Sequence, residues 1–379
     1  MEYINDQQGY RWIAAEIEFP FLMLENGSEL KPVKVAYEMW EPLRPGKTDT
    51  ILVCHALTGN AHAGDSGRPE APPGWWNGLV APSAALDPSR YRIICSNVLG
   101  SCYGTTGPAS INPKTGRPFG AQFPEVTVRD MVRLQKMLLD RLGINRLKTV
   151  IGGSLGGMQA LEWAIMFPDY VESIIPIASL GRHSAWGIAW NEVARMAIMN
   201  DPAYAEDNGT SAPRRGLALA RMAAMISYRT PQSYHQKFGQ DILDDPARNR
   251  TADLFPESSP RYEVENYLRY QGQKLVDRFN AHTYITLSRA IDSHDIFLGR
   301  GDVREVLGKL KIPALCIGIS TDLLYPKEEL EWLAKEIPLG EYREIDSIHG
   351  HDAFLIEYDQ LNEMVAGLLR TLEKQKRLF

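Results

Sequence analysis

The segment TVIGGSLGGMQALEWAIMF (residues 149–167) decides the fold. It contains the pattern G-x-S-x-G with Ser154 at its centre, preceded by a strand-like apolar run and followed by a helix-like one. A serine on so sharp a strand-to-helix turn takes strained backbone angles, so its neighbours must be small. A phosphate-binding loop would need a lysine or the G-x-G-x-x-G spacing, and neither is present. We therefore interpret Ser154 as a nucleophile, with a plain packing turn as the alternative.

Short runs rich in β-branched residues alternate with loops and helical patterns around this segment. The runs are KVAYEMW (34–40), TILVCHAL (50–57), YRIICSNV (91–98), SIIPIAS (173–179), KIPALCIGIS (311–320) and YREID (342–346). Helical spacing occupies residues 126–142, 328–336 and about 352–374. This alternation predicts an α/β fold with a mostly parallel central sheet covered by helices on both faces.

The pattern changes between residues 181 and 295, where strand-like runs disappear and helical patterns such as 191–199 and 214–226 take their place. Because the same α/β alternation continues on both sides, an insertion is simpler than two tandem domains. We predict a catalytic core formed by residues 1–180 and 296–379, with residues 181–295 as an inserted all-helical lid.

The composition excludes several functions. The 379 residues carry a net charge of −6 without basic clusters, so no nucleic-acid partner is expected. No stretch reads as a membrane span, and the N-terminus MEYINDQQ does not resemble a secretory signal, which favours a cytoplasmic protein. Four widely spaced cysteines fit neither a disulfide framework nor a metal site, so we expect no metal and no resident cofactor.

A serine nucleophile needs a histidine base, and a carboxylate must orient that base. In folds with this elbow the chain order is serine, then acid, then histidine. Of the eight histidines, His349 and His351 follow the last strand-like run, and we favour His351 because Gly350 precedes it. Asp322 directly follows the run 311–320 and is the preferred acid, with Asp346 as its competitor.

Acyl transfer also needs hydrogen-bond donors for the oxyanion of the tetrahedral intermediate. The backbone N–H of Leu155, directly after the nucleophile, is the first candidate. The second should come from the loop after an earlier strand, where HALTG (55–59) predicts a tight turn that presents the N–H of Leu57. A buried strand-to-loop connection explains the same residue types.

Seven phrases together resemble one family, the homoserine O-acetyltransferases, which are enzymes of methionine biosynthesis with an α/β-hydrolase core and a helical lid. They are HALTGNAHAG (55–64), GWWNGLVAPSAALDPSRY (74–91), NVLGSCYGTTGPAS (97–110), GGSLGGMQALEW (152–163), LARMAAMISYRT (219–230), STDLLYP (320–326) and GHDAFL (350–355). The likeness covers nearly the whole chain. It implies a ping-pong reaction that moves the acetyl group of acetyl-CoA, a co-substrate, to the hydroxyl of L-homoserine.

The resemblance also implies residue roles. The triad of the family falls on Ser154, Asp322 and His351. By the same resemblance, Arg221 and Tyr228 bind the homoserine carboxylate, and Asp352 binds its amine. A guanidinium pairs with a carboxylate and a carboxylate with an ammonium, so the residue types suit a zwitterionic acceptor. A homodimer through the lid helices is implied as well.

Two other functions remain open at this stage. Relatives that use succinyl-CoA share these motifs, although a succinyl group should require a further cation near the donor pocket. A serine esterase has the same triad but no need for a set such as Arg221, Tyr228 and Asp352. Leu155, where many relatives carry methionine, leaves the backbone donor intact.

Overall fold

A nine-stranded sheet forms the centre of the protein in a computed structural model, which describes residues 1–44, 48–206, 213–244, 254–255 and 259–377. The sheet order is β1-β2-β5-β7-β6-β10-β11-β12-β13. The strands are β1 (Glu2–Asn5), β2 (Tyr10–Phe19), β5 (Val33–Pro42), β6 (Thr50–Cys54), β7 (Arg92–Ser96), β10 (Thr149–Gly153), β11 (Ile174–Ile177), β12 (Ala314–Ile319) and β13 (Gly340–Ile345). Two small hairpins lie outside the sheet, β3 (Leu22–Met23) with β4 (Glu29–Leu30) and β8 (Ile111–Asn112) with β9 (Arg117–Pro118).

The six strands from β7 to β13 in the sheet order run parallel, as the sequence predicts. Strands β1, β2 and β5 form an antiparallel extension at one edge. The alternation of apolar runs contains no signal for strand direction, so this antiparallel part was not predicted.

The helices are α1 (Val128–Arg141), α2 (Leu155–Met166), α3 (Ala185–Met199), α4 (Arg214–Tyr228), α5 (Pro231–Phe238), α6 (Glu263–Val276), α7 (Ala281–Asp292), α8 (Val303–Val306), α9 (Lys327–Glu336) and α10 (Tyr358–Arg377). Of these, α1, α2 and α9 lie on one side of the sheet and α10 lies on the other. Successive residues of β10 enter opposite hydrophobic clusters: Val150 packs on the α1 and α2 side, whereas Ile151 packs on the α10 side. This alternation is the expected result of side chains pointing to opposite faces along a strand, with both faces buried.

Helices α3 to α7 lie within the predicted insertion, and the two chain segments that lead into and out of it pair with each other. Arg182 and Asp295 form an isolated antiparallel bridge and an ion pair with 2.7 Å between Nε and Oδ2. The Ile296 N–H donates to the Gly181 carbonyl at 2.9 Å. The helical block therefore leaves and rejoins the core at one point.

One predicted boundary is wrong. We expected the last helix to begin near residue 352, with Asp352 at its start. Instead, Gly350–Leu355 forms a 3₁₀ helix, and α10 begins at Tyr358. Both segments share helical spacing, and the sequence pattern could not separate the tighter turn from the α-helix.

Candidate active site

Ser154 occupies the sharp turn between β10 and α2 with φ 57° and ψ −122°, a conformation that non-glycine residues rarely adopt. The glycines around it are required by close approach of other groups. A Cβ at Gly156 would lie 2.1 Å from the Cys54 carbonyl oxygen, and one at Gly153 would lie 2.4 Å from the Phe354 ring. The strained serine is thus held by packing on both sides, the geometry expected for a nucleophile elbow.

The structure brings His351 and Asp322 together. Nδ1 of His351 lies 2.7 Å from Oδ2 of Asp322, and both side chains are buried. The other carboxylate oxygen accepts the backbone N–H groups of Leu324 and Tyr325 at 2.8 and 2.9 Å. Asp322 is therefore fixed by its own turn, and its hydrogen bond to Nδ1 leaves Nε2 of His351 for a proton from a nucleophile.

Gly350 permits this placement of His351. Its φ is 65°, and an added Cβ would lie 2.9 Å from the Tyr228 carbonyl oxygen. The ring of His351 packs among Tyr228, Tyr325 and Phe354, with centroid separations of 5.6, 4.8 and 5.8 Å. The imidazole is therefore held in one orientation by aromatic neighbours.

The alternative histidine, His349, and the alternative acid, Asp346, lie away from the Asp322 and His351 pair. His349 lines a cavity with Arg229 and Lys237. Asp346 accepts a hydrogen bond from the Ser320 hydroxyl at 3.3 Å, and its backbone groups bond to the Gln360 side chain. The geometry thus supports Asp322 with His351 over either competitor.

Burial lowers the pKa of His351, but the charge and hydrogen bond of Asp322 and the charge of Asp352 outweigh it, so the net pKa is raised above its ordinary value of about 6.5. Only the neutral imidazole accepts a proton. We therefore expect the rate of enzyme acylation to fall as the pH drops through a midpoint above about 6.5.

Asp352→Asn should move this midpoint to lower pH, because it removes one of the charges that raise the pKa of His351. Asp346→Asn, which changes a carboxylate bonded to Ser320, should leave it in place. Single-turnover acylation from acetyl-CoA without acceptor, measured against pH, gives both midpoints. A wild-type midpoint below 6.5 would contradict the assigned electrostatics.

Both predicted oxyanion donors lie at the nucleophile. Leu155 is the first residue of α2, so its N–H is one of the helix-start amides without an intrahelical acceptor. Leu57 and Ser154 line the same small cavity. The predicted tight turn is present, since the Gly59 N–H donates to the Ala56 carbonyl at 2.9 Å with Leu57 inside the turn.

The predicted acceptor residues also lie near the triad. The guanidinium carbon of Arg221 on α4 is 5.7 Å from the Tyr228 ring centroid. Burial raises the pKa of Tyr228, the Arg221 charge lowers it and the Asp352 charge raises it, so both charged groups act on one phenol. A cation and an anion thus flank a tyrosine beside His351.

The structure adds a partner for Asp352 that the sequence analysis missed. Nε of Arg229 lies 3.0 Å from Oδ2 of Asp352, with both side chains largely buried. Arg229 directly follows Tyr228 in the phrase LARMAAMISYRT. The contact joins two segments more than 120 residues apart, so no local pattern could reveal it.

A second histidine and a tyrosine at the nucleophile were also missed. The Tyr325 hydroxyl lies 3.1 Å from Nε2 of His183, whose Nδ1 lies 3.3 Å from Oδ1 of Asp292. Burial raises the pKa of Tyr325 well above its ordinary value, and the Ser154 side chain opposes this as a hydrogen-bond partner. Tyr325 is therefore a neutral hydroxyl group at the nucleophile. The phrase STDLLYP offered a signal, because Tyr325 follows Asp322 by three residues.

Tyr325→Phe should slow acylation about tenfold, because it removes one hydroxyl group that contacts both Ser154 and His183. Tyr284 lines the same cavity and is equally buried, so Tyr284→Phe is a matched control that should change the rate less than twofold. Rapid-quench measurement of the acylation phase gives the rate for each variant. Equal rates for both variants would exclude a role for the Tyr325 hydroxyl.

No group of three or more metal-ligating side chains occurs among the residues that the structure describes. Within the same residues, no helix combines the length and apolar character needed to cross a bilayer. The four cysteines are free thiols.

Comparison with known proteins shows the family of this chain. A family model described as the α/β-hydrolase fold matches residues 49–358, so the chain is an α/β-hydrolase. A homoserine O-acetyltransferase from Moorella thermoacetica is 49% identical over 93% of this chain and 94% of its own length. The chain therefore belongs to the homoserine O-acetyltransferase family.

Two solved structures are also similar. The crystal structure of homoserine O-acetyltransferase from Bacillus anthracis has a TM-score of 0.85 and 26% identity, covering 94% of this chain and 97% of that one. The crystal structure of esterase E22 has a TM-score of 0.82 and 27% identity, covering 94% and 100%. The same architecture thus occurs in proteins named as a transferase and as an esterase.

Proposed function

We propose that this protein transfers the acetyl group of acetyl-CoA to the hydroxyl of L-homoserine through an acetyl ester on Ser154, which yields O-acetyl-L-homoserine for methionine biosynthesis. One observation carries the proposal: Tyr228 packs against His351 of the Asp322 and His351 pair, and the charges of Arg221 and Asp352 both act on this tyrosine, so a cation and an anion that suit an amino-acid zwitterion lie close to the pair. The names of the most similar relatives support the same activity. Because acyl-CoA thioesters are substrates of cell metabolism, a cytoplasmic location is part of the proposal.

In the first half reaction, the Ser154 hydroxyl oxygen attacks the thioester carbon while Nε2 of His351 takes the hydroxyl proton. The N–H groups of Leu57 and Leu155 stabilise the oxyanion that forms. The C–S bond then breaks, and the CoA sulfur leaves with the proton from His351. Acetyl-Ser154 remains, and Asp322 stabilises the transient imidazolium throughout.

In the second half reaction, the homoserine hydroxyl gives its proton to His351 and its oxygen attacks the acetyl carbon. The bond to Ser154 breaks, and the serine oxygen takes the proton back. Arg221 and Tyr228 hold the substrate carboxylate. Arg229 contacts Oδ2 of Asp352, so we assign the other oxygen of Asp352 to the substrate ammonium.

The cavity at Ser154 favours an acetyl donor over a succinyl donor. The described residues that line it include no lysine or arginine, and several are apolar, such as Leu57, Ala224, Ile291 and Leu324. A succinyl carboxylate against this lining would contact no cation, and Arg221 is assigned to the acceptor carboxylate, so burying the donor carboxylate there would be costly. The acetyl methyl group needs only apolar contacts.

A thiol-release assay that crosses acetyl-CoA and succinyl-CoA with homoserine, serine and water tests donor, acceptor and hydrolysis together. We expect rapid release only with acetyl-CoA and homoserine. Fast thiol release with acetyl-CoA and water alone would show that the protein is a hydrolase and not a transferase. Esterase activity is the second candidate because the fold is similar to that of esterase E22. Preference for succinyl-CoA would overturn the donor assignment.

We also propose that two copies associate through the lid. Val193 and Met196 on α3 and Leu219 on α4 are 55%, 44% and 43% exposed, which leaves an apolar face on neighbouring helices. Sedimentation velocity should show a dimer, and Val193→Glu with Leu219→Glu should convert it to a monomer. Ile111→Glu, at an exposed apolar residue in the β8–β9 hairpin, is the control and should leave the dimer intact. A wild-type monomer would contradict the proposal.

A further inference from the structure

The small cavity at Ser154 adjoins a larger cavity, which in turn adjoins a third. Trp190 and Ser227 line the Ser154 cavity and also a second cavity of about 430 Å³. Arg229 and Tyr234 line that second cavity and also a third of about 370 Å³. The three cavities therefore follow one another from the nucleophile, with α4 and α5 in their walls.

The second cavity is mainly apolar. Most of its lining comes from tryptophan, aliphatic and proline side chains: Trp186, Trp190, Ile226, Pro231, Val264, Leu268 and Leu323. Such a lining suits an uncharged chain with few polar groups, because burial of apolar surface is the favourable contribution. Arg229 is the only charged side chain in its described lining.

The third cavity is cationic and aromatic. Arg229, Lys237 and His349 line it together with Phe238 and Tyr267. Nζ of Lys237 lies 4.4 Å from the Tyr267 ring centroid and 5.2 Å from that of Phe238. Among the described residues, no carboxylate lies within ion-pair distance of Lys237.

The electrostatics at Lys237 indicate excess positive charge. Burial lowers the pKa of Lys237, and the nearby charge of Arg229 lowers it further. Arg229 has Asp352 as a partner, whereas Lys237 contributes a charge that no described acidic side chain balances. An anion in this cavity would interact favourably with both cations.

We propose that this third cavity binds the phosphate groups of the acyl-CoA donor, and that the apolar cavity between it and Ser154 holds the pantetheine arm. The proposal rests on the proposed acetyl transfer, which requires a donor with an uncharged thioester arm and an anionic nucleotide end. The order of the cavities matches the order of these parts: thioester at Ser154, arm among apolar side chains, and phosphates at Lys237 and Arg229. Arg229 then links the donor and acceptor sites, since it also contacts Asp352.

Kinetics with two donors test this inference, because S-acetylpantetheine has the thioester arm of acetyl-CoA but lacks the nucleotide phosphates. Lys237→Ala should raise the KM for acetyl-CoA about fivefold to tenfold, and Lys237→Glu should raise it further, both with little change in kcat. Lys237→Arg should restore the wild-type KM. None of these variants should change kcat/KM for S-acetylpantetheine.

Lys274 provides the matched control. It is an exposed lysine on the neighbouring lid helix α6 and lies outside the lining of the three cavities, so Lys274→Ala should leave both donors unaffected. The inference is overturned if Lys237→Glu leaves the KM for acetyl-CoA unchanged, or if it impairs both donors equally. Failure of the proposed acetyl transfer would give a different result from failure of this inference, because wild-type protein would then release no thiol from either donor in the presence of homoserine.

Discussion

Ser154→Ala should reduce the release of CoA from acetyl-CoA by at least about a thousandfold in the presence of homoserine. The substitution removes the only atom that can form the acyl ester in the proposed reaction, while the oxyanion donors and His351 stay in place. In serine hydrolases, loss of the nucleophile leaves only the residual rate that binding and oxyanion contacts provide. A thiol-detection assay measures the loss, and mass spectrometry of the acetylated protein reports the ester directly.

A neighbouring serine supplies the control. Ser227 lines the same cavity, but its hydroxyl donates to the Ala224 carbonyl at 2.9 Å within α4. Ser227→Ala should therefore keep turnover within a few fold of wild type. A Ser154→Ala protein that turns over near the parent rate, with its fold intact, would exclude covalent catalysis.

Arg221→Ala should lower kcat/KM for homoserine about a hundredfold while the acylation phase stays near its wild-type rate. The reason is that the guanidinium is assigned to the acceptor carboxylate, which is absent from the first half reaction. Loss of a charged hydrogen-bond partner typically costs about 1.5–3 kcal/mol, with more where the remaining group is buried. Stopped-flow measurement of the CoA burst and steady-state kinetics with varied homoserine separate the two steps.

Arg215 on the same helix tests whether any loss of positive charge has this effect. Its guanidinium lies over the Phe255 ring at 5.8 Å, in a contact unrelated to the triad, so Arg215→Ala should leave homoserine kinetics unchanged. Impairment of the acylation burst by Arg221→Ala to the same degree as acceptor use would show that Arg221 acts on the triad or the fold.

The fold and the proximity of Asp322 to His351 were predictable, because the local sequence pattern and the order of the strands determine both. A serine between glycines at a strand end needs a strand-to-helix turn, and β10 and α2 begin and end close to the predicted positions. The parallel sheet fixes which strand ends meet, so chain order alone placed Asp322 and His351 near each other. The structure then shows the contact itself, with 2.7 Å between Nδ1 of His351 and Oδ2 of Asp322.

The unpredicted features depend on contacts between distant segments. Tyr325 meets His183 across 142 residues, and Arg229 meets Asp352 across more than 120. His183 lies at the start of the predicted insertion, and its neighbours in the sequence carry no catalytic pattern. Side-chain periodicity records which face of an element is buried, but it does not record which element covers that face.

The paired ends of the lid have a consequence for how this protein can be altered. Since Gly181 and Ile296 are hydrogen-bonded neighbours, the core requires only a short closure at this point, whatever length of chain lies between them. Arg221 and Tyr228 lie in the lid, whereas Ser154, Asp322 and His351 belong to the core. On the proposed roles, the lid binds the acceptor carboxylate, whereas the core holds the serine chemistry and Asp352, which we assign to the acceptor ammonium. A lid grafted from a relative at residues 181 and 296 should therefore change which amino-acid alcohol is acylated while the ammonium site and the serine chemistry are retained.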